Sequence, residues 1–171
     1  MTRIVVTGIG IITAIGNSVD ENRKALLEGK SGIGKAEFFD SKYNSKLPFG
    51  EIKLATKDLA KSLNVRVNAA TRTDLLALYS ARQAIEHAQL SAKELQDTGT
   101  ALIGASTVGG MCLTDEMYAD ANASAFNGSP YLQSYSNSAN TSFLQHHFQI
   151  GGIINTFNTA SSSLANGIMY A

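Results

Sequence analysis

The side chains best suited to chemistry sit in one stretch, Asn158-Thr159-Ala160-Ser161-Ser162-Ser163-Leu164. A β-rich run, Gly152-Ile153-Ile154-Asn155-Thr156-Phe157, precedes it, and an apolar run containing alanines follows it to Ala171. A strand that turns sharply through small residues into a helix presents one side chain at the helix N-terminus. Orphan backbone N–H groups and the helix dipole favour developing negative charge there. Such a turn holds a nucleophile for acyl chemistry, and Ser161 is the residue placed at it. The plainer reading is an N-cap: Ser and Thr runs open many helices that carry no nucleophile. The motif G-x-S-x-G is absent, so an α/β-hydrolase elbow is not supported.

The elements that position this turn follow from patterning. Residues 3–12 form a β-branched run broken by Gly8 and Gly10, expected to be a buried strand. A dinucleotide loop is not supported, because the third glycine of that fingerprint is replaced by Thr13 and no helix opens there. Ser18-Val19-Asp20-Glu21 reads as a capping box, opening a helix that stops near Gly29. Residues 35–70 read as an irregular excursion with a short helix near 56–63. Residues 73–88 show the clearest helical spacing of apolar positions. His87 falls near the polar end of that helix and is given no role. Ser91-Ala92-Lys93-Glu94 is a second capping box.

Residues 100–105 are expected to form a second buried strand. The glycine-rich loop Ser106-Thr107-Val108-Gly109-Gly110-Met111 follows; it lacks the lysine of a phosphate loop. Cys112 has no basic neighbour in sequence to lower its thiol pKa and reads as a quiet, packed thiol. Residues 113–125 have helical character, and Gly128-Ser129-Pro130 is a turn. Ser138 or Asn140 is expected to cap a helix carrying Phe143, Leu144, His147 and Phe148. His146 and His147 are adjacent and face different ways on a helix, which is not the i, i+4 spacing of a zinc pair. Strands alternating with helices predict an α/β layered fold with a mostly parallel sheet flanked by helices.

Composition narrows the function. With 171 residues the chain is long enough for one domain with a real core. Basic and acidic residues balance at 14 each, so charge offers no case for nucleic acid or a membrane surface. No apolar run approaches the roughly 20 residues of a membrane span, and no signal-peptide pattern opens the sequence. The single cysteine excludes an internal disulfide and suits a reducing cytoplasm.

Several segments in order resemble one family. They are Arg3-Ile4-Val5-Val6-Thr7-Gly8-Ile9-Gly10, Gly29-Lys30-Ser31-Gly32-Ile33, Ala105-Ser106-Thr107-Val108-Gly109-Gly110-Met111, His147-Phe148-Gln149-Ile150-Gly151-Gly152 and Asn158-Thr159-Ala160-Ser161-Ser162-Ser163. Together they resemble the N-terminal half of a β-ketoacyl-acyl carrier protein synthase, a condensing enzyme of the thiolase fold, across essentially all of residues 1–171.

The resemblance implies decarboxylative condensation of an acyl chain with malonyl-acyl carrier protein, in fatty-acid or polyketide synthesis. It implies no metal and no organic cofactor. Its partners would be acyl carrier protein, acyl and malonyl thioesters, and a dimer mate. It places Ser161 at the position of the family's nucleophilic cysteine. It places Val108 and Met111 on a loop that reaches toward the partner's acyl pocket. The family's two assisting histidines and one oxyanion-hole donor belong to its second half; His87, His146 and His147 do not match them. The chain would end inside the helix after the nucleophile and act as one piece of a larger assembly. A non-catalytic partner subunit of the chain-length-factor kind, or an inert fragment, is the alternative.

Overall fold

The computed structural model of the chain describes residues 3–38, 42–44, 46–66, 70–109, 122 and 136–171. Their elements run α1 (Val19–Leu27), β1 (Ile33–Gly34), β2 (Phe49–Gly50), α2 (Thr56–Ser62), α3 (Arg72–Ala88), α4 (Ala92–Gln96), β3 (Leu102–Ala105), α5 (Ala139–Phe148), β4 (Ile154–Phe157) and α6 (Ser163–Tyr170). Met111, Cys112, the helix expected over 113–125 and the turn at 128–130 lie outside the described residues. The chain divides into two compact units, Met1–Val65 with Leu78–Leu90 and Arg66–Ala77 with Ser91–Ala171.

In the first unit, local chemistry opens and closes α1. Ser18 Oγ accepts the Glu21 N–H at 3.2 Å. The reciprocal half of the expected capping box goes one residue upstream: Glu21 Oε2 accepts from Asn17 N–H at 2.7 Å. Gly29, at φ +63, takes the left-handed conformation that ends the helix. The buried Asn22 amide donates to Gly16 O and Ser18 O, at 2.9 and 2.8 Å, and its oxygen accepts from the Thr13 hydroxyl. That network folds residues 13–18 back onto α1. The excursion expected to be irregular supplies one strand of a short antiparallel ladder, its Gly50 opposite Ile33 and its Phe49 opposite Gly34. Glu51 carboxylate oxygens accept the N–H groups of Glu37 and Phe38, at 2.6 and 3.0 Å, and hold the chain beside that ladder. Helix α2 falls where expected and buries Leu59 and Ala60.

The N-terminal run departs from expectation. Residues 3–12 form no strand, and Ile4, Val5, Val6 and Ile9 are exposed, Ile4 at 94%. A buried strand needs a neighbour on each side, and among the described residues of this unit no strand flanks the run. Instead its glycines lie directly on α3. A Cβ at Gly8 would be 2.8 Å from Ala88 Cβ, and one at Gly10 would be 2.8 Å from Ala84 N, with the Ala84 and Ser80 carbonyl oxygens closer still. The small residues of α3 thus receive bare backbone. Ile9 N–H donates to His87 Nδ1 at 3.2 Å, and Gln83 Nε2 donates to Ile11 O at 3.3 Å.

In the second unit, β3 and β4 are parallel, with Leu102 opposite Ile154 and Ala105 opposite Phe157. Strand β3 is half-buried rather than buried. Alternation along the strands sorts two helices to opposite faces. Thr156 donates its hydroxyl to Thr141 of α5 at 2.8 Å, and Gly104 leaves the room that Thr141 occupies. On the other face, Ile103 and Ala105 meet Gly167 of α6, each 3.6 Å from a Cβ built there. Phe157 stacks on Tyr170 with ring centroids 5.1 Å apart. The result is a helix–sheet–helix sandwich. The Ser91–Glu94 capping box is complete, and its hydrogen bonds lower the Glu94 carboxyl pKa. Ser138 occupies the N-cap of α5, but its side chain makes no cap bond and pairs with Ser136 Oγ at 2.9 Å.

Candidate active site

Strand β4 delivers the chain at Phe157 to the turn, and α6 carries it away. Between them lie Asn158, Thr159 and one 3-10 turn, Ala160–Ser162. The turn is sharp because Ala160 adopts φ +51, a left-handed conformation costly for a residue with a Cβ. Hydroxyl groups hold it there. Thr159 N–H donates to Ser163 Oγ at 2.9 Å, and Ser163 Oγ donates to Ala160 O at 2.7 Å. Ser162 Oγ donates to Thr159 O at 2.7 Å. Asn166, one turn into α6, donates its amide to Thr159 Oγ1 at 2.7 Å. Of the three serines, Ser163 is buried and structural, Ser162 braces Thr159, and Ser161 is exposed. Among the described residues, neither the hydroxyl nor the N–H of Ser161 has a hydrogen-bond partner. Ser162 sits at the N-cap of α6 but makes no side-chain cap bond, and Ser161 itself is presented to solvent at the N-terminal end of α6.

The strain at Ala160 has a measurable consequence. Glycine adopts positive φ freely but loses more backbone entropy on folding. With the two effects opposed, Ala160→Gly should stabilise the chain by about 0.5–1 kcal/mol. Thermal melting would show this as a rise of roughly 1–4 °C, whereas a fall would mean that the turn is not strained.

Thr107 links the glycine-rich loop to this turn. Its hydroxyl donates to Ala160 O at 3.2 Å, across a sequence separation of 53 residues. The loop is shaped by Gly109, at φ +52, whose N–H donates to Ser106 Oγ at 2.8 Å. Val108 is 55% exposed beside Thr107, so its loop and the Ser161 turn meet at the same end of β3 and β4. Met111 lies outside the described residues.

His87 accepts the Ile9 N–H in the first unit. His147 lies between Phe143 and Phe148, with ring centroids at 6.2 and 5.1 Å. Among the described residues, no group of three His, Cys, Asp or Glu could hold a metal ion. Among the described residues, no helix is long and apolar enough to cross a membrane. The Thr107 contact and the Asn166 brace were not anticipated from sequence; only the position of Asn166 one turn into a helix that follows a Ser/Thr cluster hinted at the latter.

A parallel strand pair between two helices, ending in a tight hydroxyl-rich turn that exposes one serine at a helix N-terminus, is an α/β layered arrangement. The family model of the β-ketoacyl synthase N-terminal domain matches residues 1–171. The chain therefore belongs to the β-ketoacyl synthase family. It is 32% identical over 119 residues to the 3-oxoacyl-(acyl-carrier-protein) synthase 2 of Coxiella burnetii, covering 68% of this chain and 28% of that protein. Among solved structures, the ishigamide ketosynthase/chain length factor superposes with a TM-score of 0.75 at 19% identity, over 91% of this chain and 39% of that one. A type II polyketide ketosynthase in complex with its acyl-carrier protein superposes with a TM-score of 0.70 at 16% identity, over 100% of this chain and 46% of that one. These neighbours establish the thiolase-like layered fold of ketosynthases. The chain therefore spans less than half of the length of each of these proteins.

Proposed function

We propose that this chain supplies the nucleophile-bearing half of a decarboxylative condensing enzyme, with Ser161 at the acylated position. The observation that carries this reading is the presentation of Ser161, its hydroxyl and N–H both unpartnered among the described residues, between β4 and α6. In the first step Ser161 Oγ attacks the carbonyl carbon of an acyl thioester. The Oγ–C bond forms, the C–S bond breaks, and the hydroxyl proton leaves with the carrier thiolate. The Ser161 N–H and the N-terminal end of α6 offer positive potential to the oxyanion formed on the way. In the second step a malonyl thioester loses carbon dioxide and the carbon nucleophile so formed attacks the acyl carbonyl; the C–C bond forms, the C–Oγ bond breaks, and Oγ takes up a proton from water. The groups that assist that step are taken to lie in the family's second half. Acyl carrier protein, a dimer mate and a cytoplasmic setting belong to the same proposal.

A second reading is favoured by the residue type at this position. A serine hydroxyl is a far weaker nucleophile near neutral pH than a thiolate, which suits a subunit that shapes the acyl pocket without condensing. One of the structural neighbours is itself a ketosynthase/chain length factor. Intact-mass analysis after incubation with an acyl-carrier-protein thioester separates the two. An acyl adduct mapped to Ser161 and lost in Ser161→Ala supports the nucleophile. An adduct that persists in Ser161→Ala refutes it. Label on a partner chain alone supports the pocket-shaping subunit.

A further inference from the structure

Ala160 O accepts three hydrogen bonds: from Ser163 N–H, from Ser163 Oγ at 2.7 Å, and from Thr107 Oγ1 at 3.2 Å. Two of these donors belong to the turn itself. The third comes from a separate segment, the loop after β3. Ala160 C=O and Ser161 N–H are the two ends of one planar, trans peptide unit, so they point in opposite directions. Whatever fixes the carbonyl also fixes the N–H. Donors on a carbonyl also polarise its peptide and strengthen the N–H as a donor in turn.

We propose that Thr107 is a positioning residue for the Ser161 N–H, setting from behind the direction and the donor strength of the group that meets an oxyanion. Thr107 does not touch the reacting atoms; it acts through the Ala160–Ser161 peptide. The left-handed φ of Ala160 explains why an outside anchor matters. A strained peptide relaxes by rotating its plane, and Ser163, part of the same turn, rotates with it. Thr107 is anchored in the loop that Gly109 and Ser106 shape, so it opposes that rotation from outside the turn. This inference rests on the proposed acylation of Ser161 for its functional consequence, but not for its structural one.

The test uses Thr107→Val, which keeps the shape and removes the hydroxyl at an exposed position, and Thr107→Ser, which restores the hydroxyl. The Ser161 amide resonance is followed in a 1H–15N spectrum, and acylation of Ser161 by p-nitrophenyl acetate is followed by mass. The expected result is an upfield shift of the Ser161 amide proton in Thr107→Val. With it comes a roughly three- to tenfold fall in the acylation rate at saturating ester, the size of one lost hydrogen bond, with little change in the half-saturating concentration. Thr107→Ser should return both to the parent values. An unmoved amide resonance in Thr107→Val overturns the proposal. An amide that moves while Ser161→Ala labels as fast as the parent leaves Thr107 as the anchor of the peptide and refutes the nucleophile instead.

Discussion

Gly10→Ala should destabilise the first unit by about 2–4 kcal/mol, more than any single polar contact described there. The added methyl would fall within the envelope of the Ser80 carbonyl oxygen and 2.8 Å from Ala84 N. Both are backbone atoms of α3, so no side chain can swing aside; either the helix or the N-terminal run must move. Movement of the run would break the bonds from Ile9 N–H to His87 Nδ1 and from Gln83 Nε2 to Ile11 O. The clash energy is therefore capped by the cost of detaching residues 8–11. Gly29→Ala is the contrasting variant. Nothing lies within 4 Å of a Cβ there, but φ is +63, so the cost is conformational alone, about 1 kcal/mol. Urea unfolding should rank Gly10→Ala well below Gly29→Ala, and the His87 ring nitrogen shifts should change only in the former. If the two variants lose equal stability, the close seat of Gly10 on α3 is not a packing constraint.

That prediction concerns the segment whose structure was least legible in the sequence, and the reason is physical. Helices are specified by near neighbours. The Ser91–Glu94 box closes within four residues, and the apolar spacing through Leu75 and Leu78 is periodic in itself. Strands are specified by partners. Residues 102–105 and 154–157 were legible because each brings a β-branched or apolar run that the other completes. Residues 3–12 look the same in isolation, yet no strand flanks them among the described residues of their unit. Gly8 and Gly10, read as interruptions of a strand, instead mark close approach to Ser80, Ala84 and Ala88. The caps show the same limit at finer grain. Glu21 reached Asn17 N–H rather than Ser18 N–H, and Ser138 made no cap bond. The buried pairing of Thr71 with Asp74, where the Asp74 carboxylate accepts from Thr71 N–H at 2.9 Å and from its hydroxyl at 2.8 Å, caps α3 without having been expected. The Ser161 turn was legible because strand, small residues and helix are contiguous. The contact that braces it, Thr107 to Ala160, spans 53 residues and leaves no local trace.

Ser161→Cys is the variant with the largest expected gain, and its size separates two sources of reactivity. An ordinary thiol titrates near 8.5, and a helix N-terminus lowers that value. Ser161 is exposed and α6 is a short helix, Ser163–Tyr170. A charge at an exposed helix end gains only about 0.3–1 kcal/mol, which is less than one pKa unit. The turn alone therefore produces a modestly acidified thiol. The dominant gain comes from sulfur itself, which at pH 8 is partly thiolate and intrinsically nucleophilic, whereas a serine hydroxyl without a base stays protonated. Acylation by a small acyl thioester should rise on the order of a hundredfold or more in Ser161→Cys. The sign of the pH dependence follows from the reactive form. The rate should increase with pH as the thiolate forms, and level off above a midpoint below about 8.5. The parent should show no such inflection. The measurement is acyl incorporation by intact mass across pH 6–10, with the adduct mapped to position 161. A midpoint at or above about 8.5 would mean that the turn does not favour negative charge, and the oxyanion role given to the Ser161 N–H would fall with it. A normal midpoint below that value without faster acylation would place the fault elsewhere: the thiolate would exist, but the acyl carbonyl would not reach it without the residues of the family's second half.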